Sequence, residues 1–167
     1  MTKRLILIRH AKSSWDDPYG DDHARVLNKR GRTSAQAIGA WLAEKGYLPE
    51  VLLCSDAART RETAELALPQ MAPQLLEKLY HAAPDTILEL VQKQTAHTVA
   101  VIGHNPGLGI FANALVNAAP EHRRFSDYPT CATTVIDFAD EVAPRAGTCV
   151  DFIVPRDLIG TSTHDIE

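Results

Sequence analysis

The stretch that decides the fold is RLILIRHAKSSW, Arg4–Trp15. Leu5, Ile6, Leu7 and Ile8 form an unbroken aliphatic run, the pattern of a strand covered on both faces. The run stops at Arg9-His10 and turns polar at Lys12-Ser13-Ser14. Neighbours on an ideal strand point to opposite faces, so Arg9 and His10 share a pocket only if the strand ends there. The polar residues after Ala11 place the end there. Taken singly, each of the pair could be a strand residue that has reached the surface, so the rest of the chain has to decide.

Two further apolar runs, Val51–Ser55 and Thr98–Gly103, read as buried strands. Helical patterns lie at Gly31–Gly46, Ala57–Leu68, Thr86–Lys93 and Leu108–Asn117. In the first, Ala35, Ile38, Trp41 and Leu42 make one apolar face and Gly46 is a C-terminal stop. This alternation predicts an α/β chain: a single-domain three-layer fold with a central, mostly parallel sheet flanked by helices. Thr133–Phe138 and Val150–Val154, joined through Pro144 and Gly147, predict a hairpin that makes the sheet mixed. One domain is expected over residues 1–167, with a polar, loose tail from about residue 156.

The chain has 167 residues, 45% of them hydrophobic and 23% charged, which suits one soluble globular domain. A net charge of −4 disfavours a surface that coats nucleic acid or an acidic membrane, while leaving room for a local cationic pocket. Cys54, Cys131 and Cys149 are odd in number and widely spaced. They suggest neither a disulfide framework nor a zinc site, and fit reduced thiols in a cytoplasmic protein. No signal-peptide pattern or membrane-length apolar stretch is present. Neither a cofactor nor a metal is expected.

In open parallel sheets, sites gather beyond the carboxyl ends of the strands. Those ends carry Arg9-His10, Ser55 through Arg59, and Gly103-His104-Asn105-Pro106. Histidines and arginines distant in sequence would therefore converge. Arg59 and Arg61 both lie near a helix N-terminus, where a cation is unfavourable without a nearby anion, and this argument does not choose between them. The turn before Gly107 opens a helix whose N-terminus can also receive an anion. Two guanidinium groups suit a tetrahedral dianion through forked, charge-assisted bonds. A neutral imidazole can act as nucleophile, and a second basic group can stabilise charge on the equatorial oxygens. The set points to phosphoryl transfer through a phosphohistidine.

RHAKSSW, ARVLNKRGR, SDAARTRETA and VIGHNPGL, in that order, closely resemble the histidine phosphatase superfamily, the phosphoglycerate mutase-like group. The small chain and the RHAKS opening resemble its SixA-like branch of protein phosphohistidine phosphatases. The resemblance covers Leu5 to about Leu108 and continues weakly through YPTCATTVIDF. It implies that His10 is the transiently phosphorylated nucleophile, that Arg9 and Arg59 clamp the phosphoryl group, and that His104 completes the pocket. Arg25 is implied as a further phosphate contact, with Lys12 and Ser13 as additional substrate-binding candidates. Trp15 could line the site or cap the core, and packing against the core or a loop is the preferred reading. Many relatives protonate the leaving oxygen with a carboxylate after the second strand. Glu77, in LLEKLYHA, is the candidate for that role, with an exposed edge charge as the competing reading.

The acid bears on the substrate. An alkoxide leaving group resembles hydroxide, whose conjugate acid has a pKa of about 15.7, and needs protonation. An imidazole leaving group, with a conjugate acid near about 6.5, needs it less. A site without a firmly placed acid, and a chain without a long lid insertion, therefore favour protein-borne phosphohistidine as the partner. A broad phosphatase of small phosphate esters, or a non-catalytic phosphate-binding module, are the alternatives. A cysteine phosphatase is disfavoured, because CSDAAR places four residues between Cys54 and Arg59 where that loop needs five. H-x-H, H-E-x-x-H and P-loop patterns are absent.

Overall fold

A computed structural model describes residues 2–160. Strands β1 (Lys3–Arg9), β2 (Val51–Ser55), β3 (Gln74–Leu76), β4 (Thr98–Gly103), β5 (Thr133–Phe138) and β6 (Thr148–Ile153) form one sheet. Their order is β3-β2-β4-β1-β5-β6. The first four positions run parallel, and β5 turns antiparallel to both β1 and β6. The sheet is therefore mixed and mostly parallel, with the hairpin where the sequence placed it. The three-residue β3 is an addition that the sequence pattern does not announce.

The strand β1 shows why its apolar run is unbroken. Leu5 and Leu7 join one core cluster, with Ile87, Val91, Leu108 and Phe111. Ile6 and Ile8 join the other, with Ala35, Ile38, Trp41 and Leu42. Helices α1 (Lys29–Lys45) and α2 (Ala58–Ala67) cover one face, and α3 (Pro84–Gln92) and α4 (Gly107–Leu115) cover the other. Burying a side chain of this kind is worth about 1.5–3 kcal/mol, so both faces of β1 anchor it firmly.

The helix ends obey local rules. Asn28 caps α1 by accepting a hydrogen bond from the Gly31 N–H at 2.8 Å, and Gly46 closes the helix at φ 75°. Gly31 has a further reason to be glycine: a Cβ there would lie 2.0 Å from the Lys12 carbonyl oxygen. That close approach holds the loop after β1 against the start of α1. The chain after Val154 does not begin as a loose tail. Pro155–Ile159 forms α5, with proline at the helix start and Asp157 accepting from the Val154 N–H at 3.0 Å. The remainder of the expected tail, 161–167, lies outside the described residues. No described helix is long and apolar enough to cross a membrane.

Candidate active site

The register between β1 and β4 builds the centre of the site. Arg9 pairs with Gly103, so His10 and His104 leave the sheet side by side, with ring centroids 5.3 Å apart. Beyond this pair the two strands separate. The His10 N–H still donates to the Gly103 carbonyl at 3.1 Å, and the Ala11 N–H donates to Thr63 Oγ1 of α2 at 3.0 Å. The chain has left the sheet by Ala11, which lets Arg9 and His10 line one cleft. Lys12, Ser13, Arg25, Arg59, His104 and Asn105 line it with them.

The two imidazoles are held neutral. His10 is 7% exposed and its Nδ1 lies 2.7 Å from the Ala11 carbonyl oxygen. A carbonyl only accepts, so Nδ1 carries the proton and Nε2 carries the lone pair. Burial pushes the His10 pKa down to about 3, against the Ala11 bond and assisted by Arg9, Arg59 and Arg25. His104 Nδ1 lies 3.3 Å from a terminal nitrogen of Arg59, which can only donate. Its Nε2–H therefore donates to Ser55 Oγ at 2.7 Å. Burial, then the charges of His10 and Arg59, lowers His104 to about 2.

The cations come from three places in the chain. Arg59 is 1% exposed at the start of α2. Arg9 donates to the Tyr128 carbonyl at 3.2 Å, and Asn105 donates to the same oxygen at 2.9 Å. Arg25 donates to Ser13 Oγ and lies 3.9 Å over the Trp15 ring. The Nε–H groups of Arg25 and Arg59 are buried with no hydrogen-bond partner among the described residues. Buried donors of this kind are normally satisfied, so the clamp has capacity for more acceptors than the protein supplies. Cys54, by contrast, is fully buried in β2 and its thiol is pushed up to about 12 by burial. It has neither the exposure nor the ionisation of a nucleophile.

The profile of the histidine phosphatase superfamily (branch 1) matches residues 5–80. An uncharacterised protein of Mycobacterium tuberculosis strain H37Rv is 33% identical over 159 residues, covering 89% of this chain and 100% of that one. The chain belongs to the histidine phosphatase superfamily. Among solved structures, the Agrobacterium tumefaciens protein assigned as the phosphohistidine phosphatase SixA superposes with a TM-score of 0.77 at 27% identity. That match covers 92% of this chain and 99% of the other. The protein histidine phosphatase SixA complexed with tungstate shares the fold, with TM-score 0.77 at 21% identity over 93% and 99% of the two chains. Phosphatase chemistry is the activity this superfamily fold supports.

Several assignments made from the sequence change. Glu77 sits exposed in a 3-10 turn, Glu77–Leu79, and is not among the residues lining the cleft. Of the segment that follows the turn, His81 lines the cleft instead. Trp15 is 69% exposed at the rim, stacked on Arg25 rather than packed in the core. Outside the cleft, Glu62 accepts from the Leu27 N–H at 2.9 Å and from Arg32 at 2.6 Å, pinning the start of α1.

Three residues of the site, Asp22, Tyr80 and His81, were not expected from the sequence. Asp22 Oδ1 accepts from Arg25 at 2.8 Å. Its Oδ2 accepts from Arg59 at 3.1 Å, from the Tyr80 hydroxyl at 2.5 Å and from His81 Nε2–H at 3.1 Å. Bonds from Tyr80, Arg25 and His81, with the Arg59 charge, hold the Asp22 carboxyl far below the usual carboxylate range. His81 lines the cleft, and its ring centroid is 4.9 Å from that of His104. The only sequence signal for these residues is the DDHAR segment that ends at Arg25, where Asp22 stands three residues ahead of the arginine it binds. Among the described residues, no group of three or more His, Cys, Asp or Glu side chains is placed to hold a metal ion.

Proposed function

We propose that this protein removes phosphoryl groups from phosphohistidine carried by another protein, through a covalent phosphohistidine formed on its own His10. The observation that carries the reading is the fixed tautomer of His10. With Nδ1–H committed to the Ala11 carbonyl, the lone pair sits on Nε2 in a cleft lined by Arg9, Lys12, Arg25 and Arg59.

In the first step, His10 Nε2 bonds to phosphorus as the bond from phosphorus to the substrate imidazole breaks. That imidazole departs in neutral form if its other nitrogen already carries a proton, so the step makes little demand on an enzymic acid. In the second step, water oxygen bonds to phosphorus and the bond to His10 Nε2 breaks, returning neutral His10 and releasing phosphate. Arg9, Arg25 and Arg59 supply charge-assisted bonds to the phosphoryl oxygens, strongest in the low-dielectric setting where Arg59 is buried. The exposed Trp15 and half-exposed His81 leave a rim that a side chain presented by another protein can enter.

The test compares kcat/KM for a phosphohistidine-bearing protein with that for sugar phosphates and an aryl phosphate. The phosphohistidine protein should lead by at least about tenfold, one 1.36 kcal/mol step in barrier. A lead for a sugar phosphate would sink the substrate assignment. Turnover should survive EDTA, and its complete loss there would contradict metal-free hydrolysis.

A further inference from the structure

The cleft contains an imidazole, His81, that hydrolysis of phosphohistidine does not require. His81 lies in the left-handed backbone region at φ 51°, uncommon for any residue with a side chain. In that conformation its side chain lines the cleft beside His10, Arg59 and His104. The turn is clamped from behind: a Cβ on Gly107 would lie 1.8 Å from the carbonyl oxygen of Ala82, so only glycine at the start of α4 permits this approach. The next chain neighbour of Ala82 is His81. An unusual backbone is thus held against the loop that carries His104.

The bonding of His81 also suits proton transfer. Its Nε2–H donates to Asp22 Oδ2, which leaves Nδ1 as the nitrogen available to substrate. The carboxylate fixes the ring's orientation through one imidazole nitrogen, so that the other is the one presented to a substrate. The neighbouring groups do not compete for the role. Asp22 is an ionised carboxylate, the Tyr80 hydroxyl is pushed up by burial and committed to Asp22, and His10 and His104 are held neutral by burial. Arginines do not release their protons.

We propose that His81, oriented by Asp22, is the proton donor that lets this cleft also hydrolyse oxygen phosphoesters with poor leaving groups. As His10 Nε2 bonds to phosphorus, the ester P–O bond breaks and the proton on His81 Nδ1 passes to the departing oxygen, giving a neutral alcohol. Neutral His81 then takes a proton from the water that attacks phospho-His10, so both steps balance and the imidazolium is restored. This inference rests on the phosphoryl transfer through His10 proposed above.

The experiment measures kcat/KM on ethyl phosphate, p-nitrophenyl phosphate and phosphoimidazole for the wild type, His81→Gln and His81→Gly. Wild type should hydrolyse all three. Both variants should lose about 100-fold or more on ethyl phosphate, the usual scale of a general acid. Losses on the two substrates with good leaving groups should be no more than about a tenth of that. His81→Gly relieves the left-handed backbone and keeps the result readable if glutamine fits badly. Equal losses on all three substrates, no loss on ethyl phosphate, or a wild type inactive on ethyl phosphate would each overturn the assignment. Phosphoimidazole labelling of His10 in the same variants separates this from the parent reading. Label retained without leaving-group dependence refutes His81 alone, whereas absence of label in wild type refutes the His10 chemistry beneath it.

Discussion

The wall of the cleft made by strand ends and the wall made by the turns at Asp22 and Tyr80-His81 are built from different materials. On the first, Arg9, His10 and His104 are fixed by the β1–β4 register, and their backbones inherit the rigidity of a sheet buried on both faces. On the second, residues in or just after two 3-10 turns, Asp22–Ala24 and Glu77–Leu79, are fixed mainly through one carboxylate, Asp22, which is bonded to Arg25, Arg59, Tyr80 and His81. The first wall gets its precision from packing. The second gets it from charge, and so should respond to single substitutions without collapse of the fold.

The largest break is expected where the two walls meet. Arg59 is buried and bonds both Asp22 and His104. Arg59→Lys keeps the charge but loses the fork, and should lower kcat/KM by about 100- to 1,000-fold, the scale of removing one preorganised transition-state donor. Steady-state kinetics alongside a thermal melt checks it; a loss below about tenfold would mean that the point charge alone suffices.

A second expected effect belongs to the strand-end wall. An unfolded chain protonates histidine near about 6.5, whereas folded His10 and His104 stay neutral down to about 3 and about 2. The unfolded state therefore binds more protons in that interval, and stability falls as pH drops below about 6.5. The Asp22 carboxyl is depressed instead, so its contribution is intact above its unfolded value and is lost only below about pH 4. Between about pH 6.5 and 4 the loss should reach a few kcal/mol and be halved or better in the His10→Asn, His104→Asn double variant. Denaturant titrations across that window read it directly; the same slope in the double variant would remove the buried histidines as its cause.

The smallest effect sharpens the charge-built wall. Asp22→Asn removes the negative charge among Arg25, Arg59 and His81 while keeping a side chain of similar size. Inorganic phosphate should inhibit this variant at roughly several-fold lower concentration, because a competing anion is gone, while kcat falls about tenfold through looser arginines and His81. A parallel change in both constants would argue against a positioning role for Asp22.

These differences also explain what could be read from the sequence. The strands and Arg9, His10 and His104 were legible because hydrophobic runs mark strand ends, and polar or charged residues placed directly after a run stand out against it; Arg59 was set apart from Arg61 only by the SDAARTRETA motif. Arg25 came with a contiguous motif. Asp22 and Tyr80 are 58 residues apart, and their bond has no local period or spacing to betray it. Glu77 was the natural choice of acid by position, but one 3-10 turn sends it to solvent and brings His81 inward. The short β3 went unseen because Gln74 and Leu75 are exposed and leave no burial pattern. The helix after Val154 did carry a signal, proline at its first position, which the polar composition around it outweighed.

The central claim is that His10 carries the phosphoryl group. The direct measurement mixes the enzyme with a phosphorus-labelled substrate, quenches within milliseconds without acid, and locates the label by mass spectrometry. Acid lability, with the label on the His10 peptide in wild type and its absence from His10→Ala, is the result expected. Label persisting in His10→Ala, or burst-free turnover with no labelled protein at any quench time, would contradict the account.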